Sequence, residues 1–117
     1  MMNNRLLGAL GEQEAARLLR AKGYDIISGN YKTRAGEIDI VAENKKYICF
    51  VEVKTRKTGG FTAPADAVDF HKQTNIKNCA AAYLTEYKTK KTARYDIIEV
   101  FVENDKPVKI NHIENAF

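Results

Sequence analysis

Tryptophan is absent from this sequence, and proline, cysteine and histidine occur only twice each. Two cysteines among 117 residues cannot build a disulfide framework, so the fold has to rest on a packed apolar core. No Cys/His cluster has zinc-ligand spacing, which removes zinc fingers and ribbons. Cys49 lies in the apolar run Tyr47-Ile48-Cys49-Phe50-Val51 and Cys79 precedes Ala80-Ala81-Ala82, so both read as small buried hydrophobes. Long hydrophobic runs are missing too. Leu6-Leu7-Gly8-Ala9-Leu10 stops at Glu12, too short for a signal-peptide core, and nothing later approaches a membrane span. The expectation is a soluble protein of the reducing cytoplasm with no membrane partner. An excess of one charge is also lacking: 19 Lys and Arg face 15 Asp and Glu, a net charge of +4. Such mild basicity fits a polyanionic partner without requiring one.

What is present is apolar material, 44% of the residues, enough for one core but not two. No linker or repeat divides the chain, so residues 1–117 read as a single domain. From Asn3 to Lys22 the 100° periodicity predicts a helix with Leu7, Gly8, Gly11, Ala15, Leu18 and Leu19 on one face. Gly23 supplies its stop. A strand begins at Tyr24-Asp25-Ile26-Ile27, with Gly29-Asn30 expected to break or turn it. Residues 37–42 alternate as a strand, 43–46 form a hairpin turn, and Tyr47 to Thr55 reads as a central strand covered on both faces. Lys57 to Pro64 is expected to be a loop and Ala65 to Tyr87 a long helix, with Pro64 in its first turn. A basic turn, Lys88 to Thr92, leads to two last strands over 93–102 and 108–113. The order helix, three strands, helix, two strands predicts an α/β sandwich with a mixed sheet.

Chemistry is concentrated where charge interrupts predicted burial. A period of two puts Phe50, Glu52 and Lys54 on one face of their strand, with Val51 and Val53 on the other. In the preceding strand Glu37, Asp39 and Val41 share a face, with Ile38 and Ile40 opposite. A hairpin between the two strands brings Asp39 towards Glu52, so two carboxylates and an ammonium converge. Burying an unpaired carboxylate costs several kcal/mol, and a divalent cation removes that cost. Mg²⁺ takes hard oxygen ligands, commonly one or two carboxylates completed by water and substrate phosphate. Lys54 is placed to hold an attacking water or to offset developing negative charge. Two readings stand at this level: a phosphodiester-cleaving site, or an ion pair of Glu52 with Lys54 on a solvated face. Glu12 is equally open. It lies on the apolar side of the first helix among Gly8, Ala15, Ala16 and Leu19, aimed at the sheet or reaching back to water.

Asp39 followed by Glu52-Val53-Lys54 resembles the PD-(D/E)xK motif of restriction endonuclease-like proteins, and Glu12 resembles the additional acid of the archaeal Holliday-junction resolvases. More closely, the chain resembles the bacterial UPF0102 family. The resemblance rests on Gly8-x-x-Gly11-Glu12, Gly36-Glu37-Ile38-Asp39, Phe50-Val51-Glu52-Val53-Lys54-Thr55-Arg56, Lys72-Gln73, Arg94-Tyr95-Asp96 and the closing Ala116-Phe117. It implies a three-layer α/β/α restriction endonuclease-like fold around a central mixed sheet of about five strands. It further implies an endonuclease dependent on Mg²⁺ or Mn²⁺ and acting on DNA, branched or structured DNA included. Asp39, Glu52 and Glu12 would hold the metal or its water, and Lys54 would serve the nucleophile. Glu37 and Lys72 match motif positions, and Lys72 could reach a phosphate. Phe61-Thr62-Ala63-Pro64 departs from the pattern, which has glycine after the aromatic residue. Resolvase-like relatives act as symmetric dimers, so the resemblance also raises a homodimer.

Arg56, directly after the acids, then Lys57, the Lys88 to Lys91 segment and Arg94 could line a phosphate track, with Lys88, Lys90 and Lys91 reading equally as solvated loop lysines. Tyr83 and Tyr87 read as core or interface residues, and His71 and His112 have no partners visible in sequence. The alternative to an enzyme is a non-catalytic nucleic-acid-binding module that retains the nuclease fold. A protein-interaction domain related to nucleases only by ancestry is the third.

Overall fold

A computed structural model of the chain describes residues 2–58 and 68–117. Helix α1 (Asn4–Ala21) opens at Asn3, whose side chain accepts a hydrogen bond from the Leu6 N–H and satisfies one of the free donors of the first turn. Leu7, Gly11, Ala15 and Leu19 form its buried stripe at i, i+4 spacing. Gly23, at φ 92°, ends it, while the Tyr24 N–H bonds back to the Leu19 carbonyl.

Strand β1 (Asp25–Thr33) does not break at Gly29-Asn30 as the sequence predicts. It runs on through a register shift between Ile26 and Ser28, and Asn30 adopts φ 55°. An edge strand absorbs such irregularities as bulges, and asparagine tolerates the left-handed conformation, so pairing resumes beyond them. Strand β2 (Gly36–Glu43) pairs antiparallel with β1 and, through Ile40–Val51 to Glu43–Ile48, with β3 (Tyr47–Lys57). At the β2–β3 turn the Asn44 side chain accepts from the Lys46 and Tyr47 N–H groups.

Helix α2 (Phe70–Glu86) starts later than the expected Ala65. Asp69 caps it by accepting from the Lys72 N–H at 2.9 Å, which satisfies a free donor of the first turn. The predicted loop and the helix start at Pro64-Ala65 fall largely outside the described residues. Beyond α2, β4 (Thr92–Glu103) lies parallel to β3, and β5 (Lys106–Ile113) returns antiparallel after Asn104 and Asp105, both at positive φ. Strand order is β1-β2-β3-β4-β5, a mixed five-stranded sheet.

The helices cover opposite faces. On the α1 side Leu7, Ala15 and Leu19 pack with Ile40, Cys49, Val51, Ile98 and Val100. On the α2 side Ile76, Cys79, Ala80 and Tyr83 pack with Ile38, Val41, Ile48, Phe50 and Ile97. The architecture is therefore the three-layer α/β/α sandwich expected. Cys49 and Cys79 are buried in different layers as free thiols, and burial pushes the Cys49 thiol up to about 12. Among the described residues, no helix is long and apolar enough to cross a membrane.

Candidate functional site

Ile38 and Ile40, two residues apart in β2, belong to opposite cores. The uniform alternation read from the sequence therefore fails at Asp39. The cause is where pairing stops: β2 and β3 are in register from Glu43 to Ile40 and no further. Beyond that point the Asp39 Oδ2 accepts the Val53 N–H at 2.8 Å, a side chain standing in for a backbone partner. The two strands thus diverge at the position of Asp39, next to Glu52. A cleft of about 310 Å³ opens there, lined by Asn4, Leu7, Gly8, Glu12, Asp39, Glu52, Val53, Lys54 and Thr55.

Helix α1 forms one wall because glycine allows it to come close. A Cβ on Gly11 would collide with Thr55 Oγ1, whereas one on Gly8 would meet nothing within 4 Å and project into open space. Glu12, next to Gly11, consequently lines the cleft, and Asn30 donates to its Oε1 at 3.4 Å. Burial raises the Glu12 carboxyl, Asn30 opposes the shift, and the charges of Glu37 and Glu52 add to it. Glu37 itself is exposed.

Glu52 and two lysines meet on the α2 side. The Glu52 side chain is only 5% exposed, and its Oε1 lies 2.8 Å from Lys72 Nζ and 3.6 Å from Lys54 Nζ. Lys72 stands one turn before Ile76 on the buried stripe of α2, which directs it at the sheet. Burial first, then the charges of Glu52 and Glu12, push the Asp39 carboxyl up to about 7 against the opposing Val53 N–H and Lys72. Burial lowers the Lys54 ammonium although Glu52 favours its charge. For Lys72 burial acts in the same direction, but the direct hydrogen bond and charge of Glu52 outweigh it and the net shift is upward. Of the two lysines, Lys54 therefore releases its proton more readily. Sequence reasoning placed Lys54 beside Glu52 but did not foresee that Lys72 would bind the same oxygen more closely.

The donor set can be tested for a divalent cation. Asp39 and Glu52 are hard oxygen donors whose mutual repulsion a cation relieves, and Mg²⁺ or Mn²⁺ needs only one or two protein carboxylates. The pair fits. Among the described residues no three His, Cys, Asp or Glu side chains gather tightly enough to hold a metal, so Glu12 is not grouped with the pair as a third direct ligand.

Two basic residues expected along a phosphate track are engaged elsewhere. Arg94 is buried and grips Asp96 with Nε at 2.9 Å and Nη2 at 2.8 Å, while Nη2 also donates to Tyr24 Oη at 2.6 Å. Its role is internal, because the alternating strand turns it towards α1 rather than to solvent. The Arg56 side chain is 9% exposed, and its Nε pairs with the buried Glu99 Oε2 at 3.2 Å. An exposed phosphate contact at Arg56 does not match that placement, since the neighbouring strand offers it a carboxylate. Lys91 pairs with Glu43 at 2.9 Å, and Lys88 and Lys90 are exposed. A second hollow of about 570 Å³, lined by Lys57, Thr58, Val102, Glu103, Asn104 and Asp105, contains none of the acid–lysine group.

The sequence also hid a network around Asp96. Besides Arg94, it receives His112 Nε2 at 2.7 Å and the Asn115 N–H at 3.0 Å. Lys22 Nζ, 2.8 Å from His112 Nδ1, donates to that nitrogen, which leaves the ring proton on Nε2, facing Asp96. Burial would raise the Asp96 carboxyl, but His112, Arg94 and the Asn115 N–H together hold it below the usual aspartate value. Ala116 donates to the Tyr95 carbonyl, and Tyr95 stacks between Phe50 and Phe117. The Arg-Tyr-Asp triplet and the terminal Ala-Phe are thus one fastening of the C-terminal segment.

The model of an uncharacterised protein family, UPF0102, matches residues 11–100. The chain belongs to the UPF0102 family. A UPF0102 protein of Caldanaerobacter subterraneus subsp. tengcongensis is 45% identical over 99% of this chain and 98% of its own length. Another from Alkaliphilus oremlandii is 46% identical over 97% of this chain and 99% of its own. One from Geobacter sulfurreducens is 42% identical over 98% and 91%, respectively. The UPF0102 match takes in Gly11, Glu12, Asp39, Glu52, Lys54 and Lys72, whereas Asn4, Leu7 and Gly8 of the α1 wall precede it.

Proposed function

We propose that this UPF0102 protein is an endonuclease that hydrolyses phosphodiester bonds in DNA, branched and structured DNA included, with Mg²⁺ or Mn²⁺ as cofactor. The observation that carries the reading is the meeting of Asp39, Glu52 and Lys54 in one cleft where β2 leaves β3. Asp39 and Glu52 would hold the cation, which when bound supplies a Lewis acid to a phosphoryl oxygen and lowers the pKa of water. Lys54, with its ammonium destabilised by burial, orients the attacking water and donates to the charge that builds on the phosphoryl oxygens. Water would add to phosphorus as the bond to the leaving sugar oxygen breaks; the attacking water gives up a proton to solvent, and the leaving oxygen takes one up from solvent. Glu12 stands across the cleft to accept hydrogen bonds from water bound there. Cutting both strands of a duplex calls for two sites related by a two-fold axis, so a homodimer is the assembly proposed on DNA.

The test is cleavage of a panel of single-stranded, duplex and four-way-junction DNA in Mg²⁺ or Mn²⁺, by the wild type and by Asp39→Ala and Lys54→Ala. The reading expects cleavage by the wild type alone. Equal cleavage by all three identifies a contaminant and removes it. The second reading is a DNA-binding module without catalysis that retains the same fold. Tight DNA binding with no Mn²⁺ uptake, measured by calorimetry with DNA present, selects that one.

A further inference from the structure

A lysine in the first turn of a helix sits at the positive end of the helix dipole, where a cation is disfavoured. Lys72 occupies that position: it is the third residue of α2, and its own N–H donates to the Asp69 cap. Its ammonium is held there by Glu52 Oε1 at 2.8 Å, closer than the Lys54 contact of 3.6 Å to the same oxygen. Asp39, the other acid of the cleft, also favours the Lys72 charge. The Lys72 side chain is nevertheless 41% exposed, against 5% for Glu52. One end of the contact is therefore buried and fixed, and the other is a flexible stem with open solvent beside it.

We propose that Lys72 is a displaceable counter-ion that couples DNA binding to cation binding at this site. The inference rests on the nuclease reading above and adds how the site is controlled. Without DNA, the Lys72 ammonium occupies the carboxylate oxygen that a divalent cation needs, so cation affinity is held down. A phosphodiester entering the cleft offers Lys72 a competing anion with several acceptor oxygens. Lys72 swings to it on its exposed stem, Glu52 is released, and the cation binds next to the substrate. Linkage makes the effect reciprocal: a bound cation expels Lys72 towards solvent and strengthens DNA binding by the same factor.

The experiment is a calorimetric titration of Mn²⁺ into the full chain, with and without a short phosphorothioate-linked DNA duplex that resists cleavage. Wild type, Lys72→Met and Lys72→Arg are compared. Methionine keeps an unbranched stem without the charge, and arginine keeps the charge. Lys72→Met should bind Mn²⁺ about tenfold more tightly than wild type without DNA, the scale set by one unit charge at hydrogen-bonding distance in a solvated site. The gain in Mn²⁺ affinity on adding DNA should shrink by the same factor, and Lys72→Arg should behave as wild type. Equal or weaker Mn²⁺ binding by DNA-free Lys72→Met overturns the counter-ion role while leaving the nuclease reading intact. No Mn²⁺ binding by any of the three, with or without DNA, overturns both.

Discussion

At the residue scale, Asp39 carries the clearest signature. Its carboxyl stands at about 7 in the fold, against 3.8 for an ordinary aspartate. Between those values the folded chain holds a proton that the unfolded chain has released, so stability falls as pH rises through that window. The cation-free protein should therefore lose stability between about pH 4 and about pH 7, as urea denaturation would measure. Asp39→Asn should flatten that slope, and Mn²⁺ should stabilise the wild type more at alkaline than at acid pH. A slope unchanged by Asp39→Asn would assign the effect elsewhere. Much of this residue set was legible in the sequence, because a strand period of two forces Glu52 and Lys54 onto one face. The Asp39 environment was not, since it depends on where β2 stops pairing with β3, a tertiary event with no mark in the local pattern. His112 was illegible for a similar reason: its partners, Asp96 and Lys22, come from distant parts of the chain.

At the scale of elements, the contact between α1 and β3 places Glu12 on the cleft. Gly11→Ala meets Thr55 and should cost about 1–3 kcal/mol by overpacking, only partly offset by the roughly 1 kcal/mol by which alanine favours a helix. Gly8→Leu has open space at its Cβ, so it should leave the melting temperature nearly unchanged while filling the cleft and weakening DNA binding. Thermal melts of the two variants check both statements, and the reverse order would mean that α1 sits differently. The fastening of β5 makes a second prediction. Asp96→Ala leaves the Arg94 guanidinium buried without its carboxylate and should cost about 3–5 kcal/mol. Hydrogen exchange should then accelerate first in residues 112–117. The helix caps show what the sequence could convey about elements. Gly23 ends α1 as expected, whereas the Asn3 and Asp69 caps carry no mark in the sequence that sets them apart from other Asn and Asp residues.

For the whole molecule, the order of elements was enough to predict an α/β sandwich with a mixed sheet, because the crossover between β3 and β4 needs a helix, whereas the helical layer on each face was implied by the family resemblance. The distribution of basic side chains was less accessible: Arg94 and Arg56 look alike in sequence to the exposed lysines, and only the fold shows them paired internally. DNA affinity should accordingly depend on Lys54 and Lys72 more than on either arginine. Removing either lysine should reduce the slope of log affinity against log salt by about one phosphate's worth, roughly 0.9. The central claim is that the cleft hydrolyses DNA. Its most direct test is the single-turnover cleavage rate of the wild type against Lys54→Ala, in Mn²⁺, on the substrate the wild type cuts best. The account predicts a loss of about 100-fold or more for Lys54→Ala at saturating protein, where the weaker DNA binding of that variant does not enter the rate. An undiminished rate for that variant would contradict it.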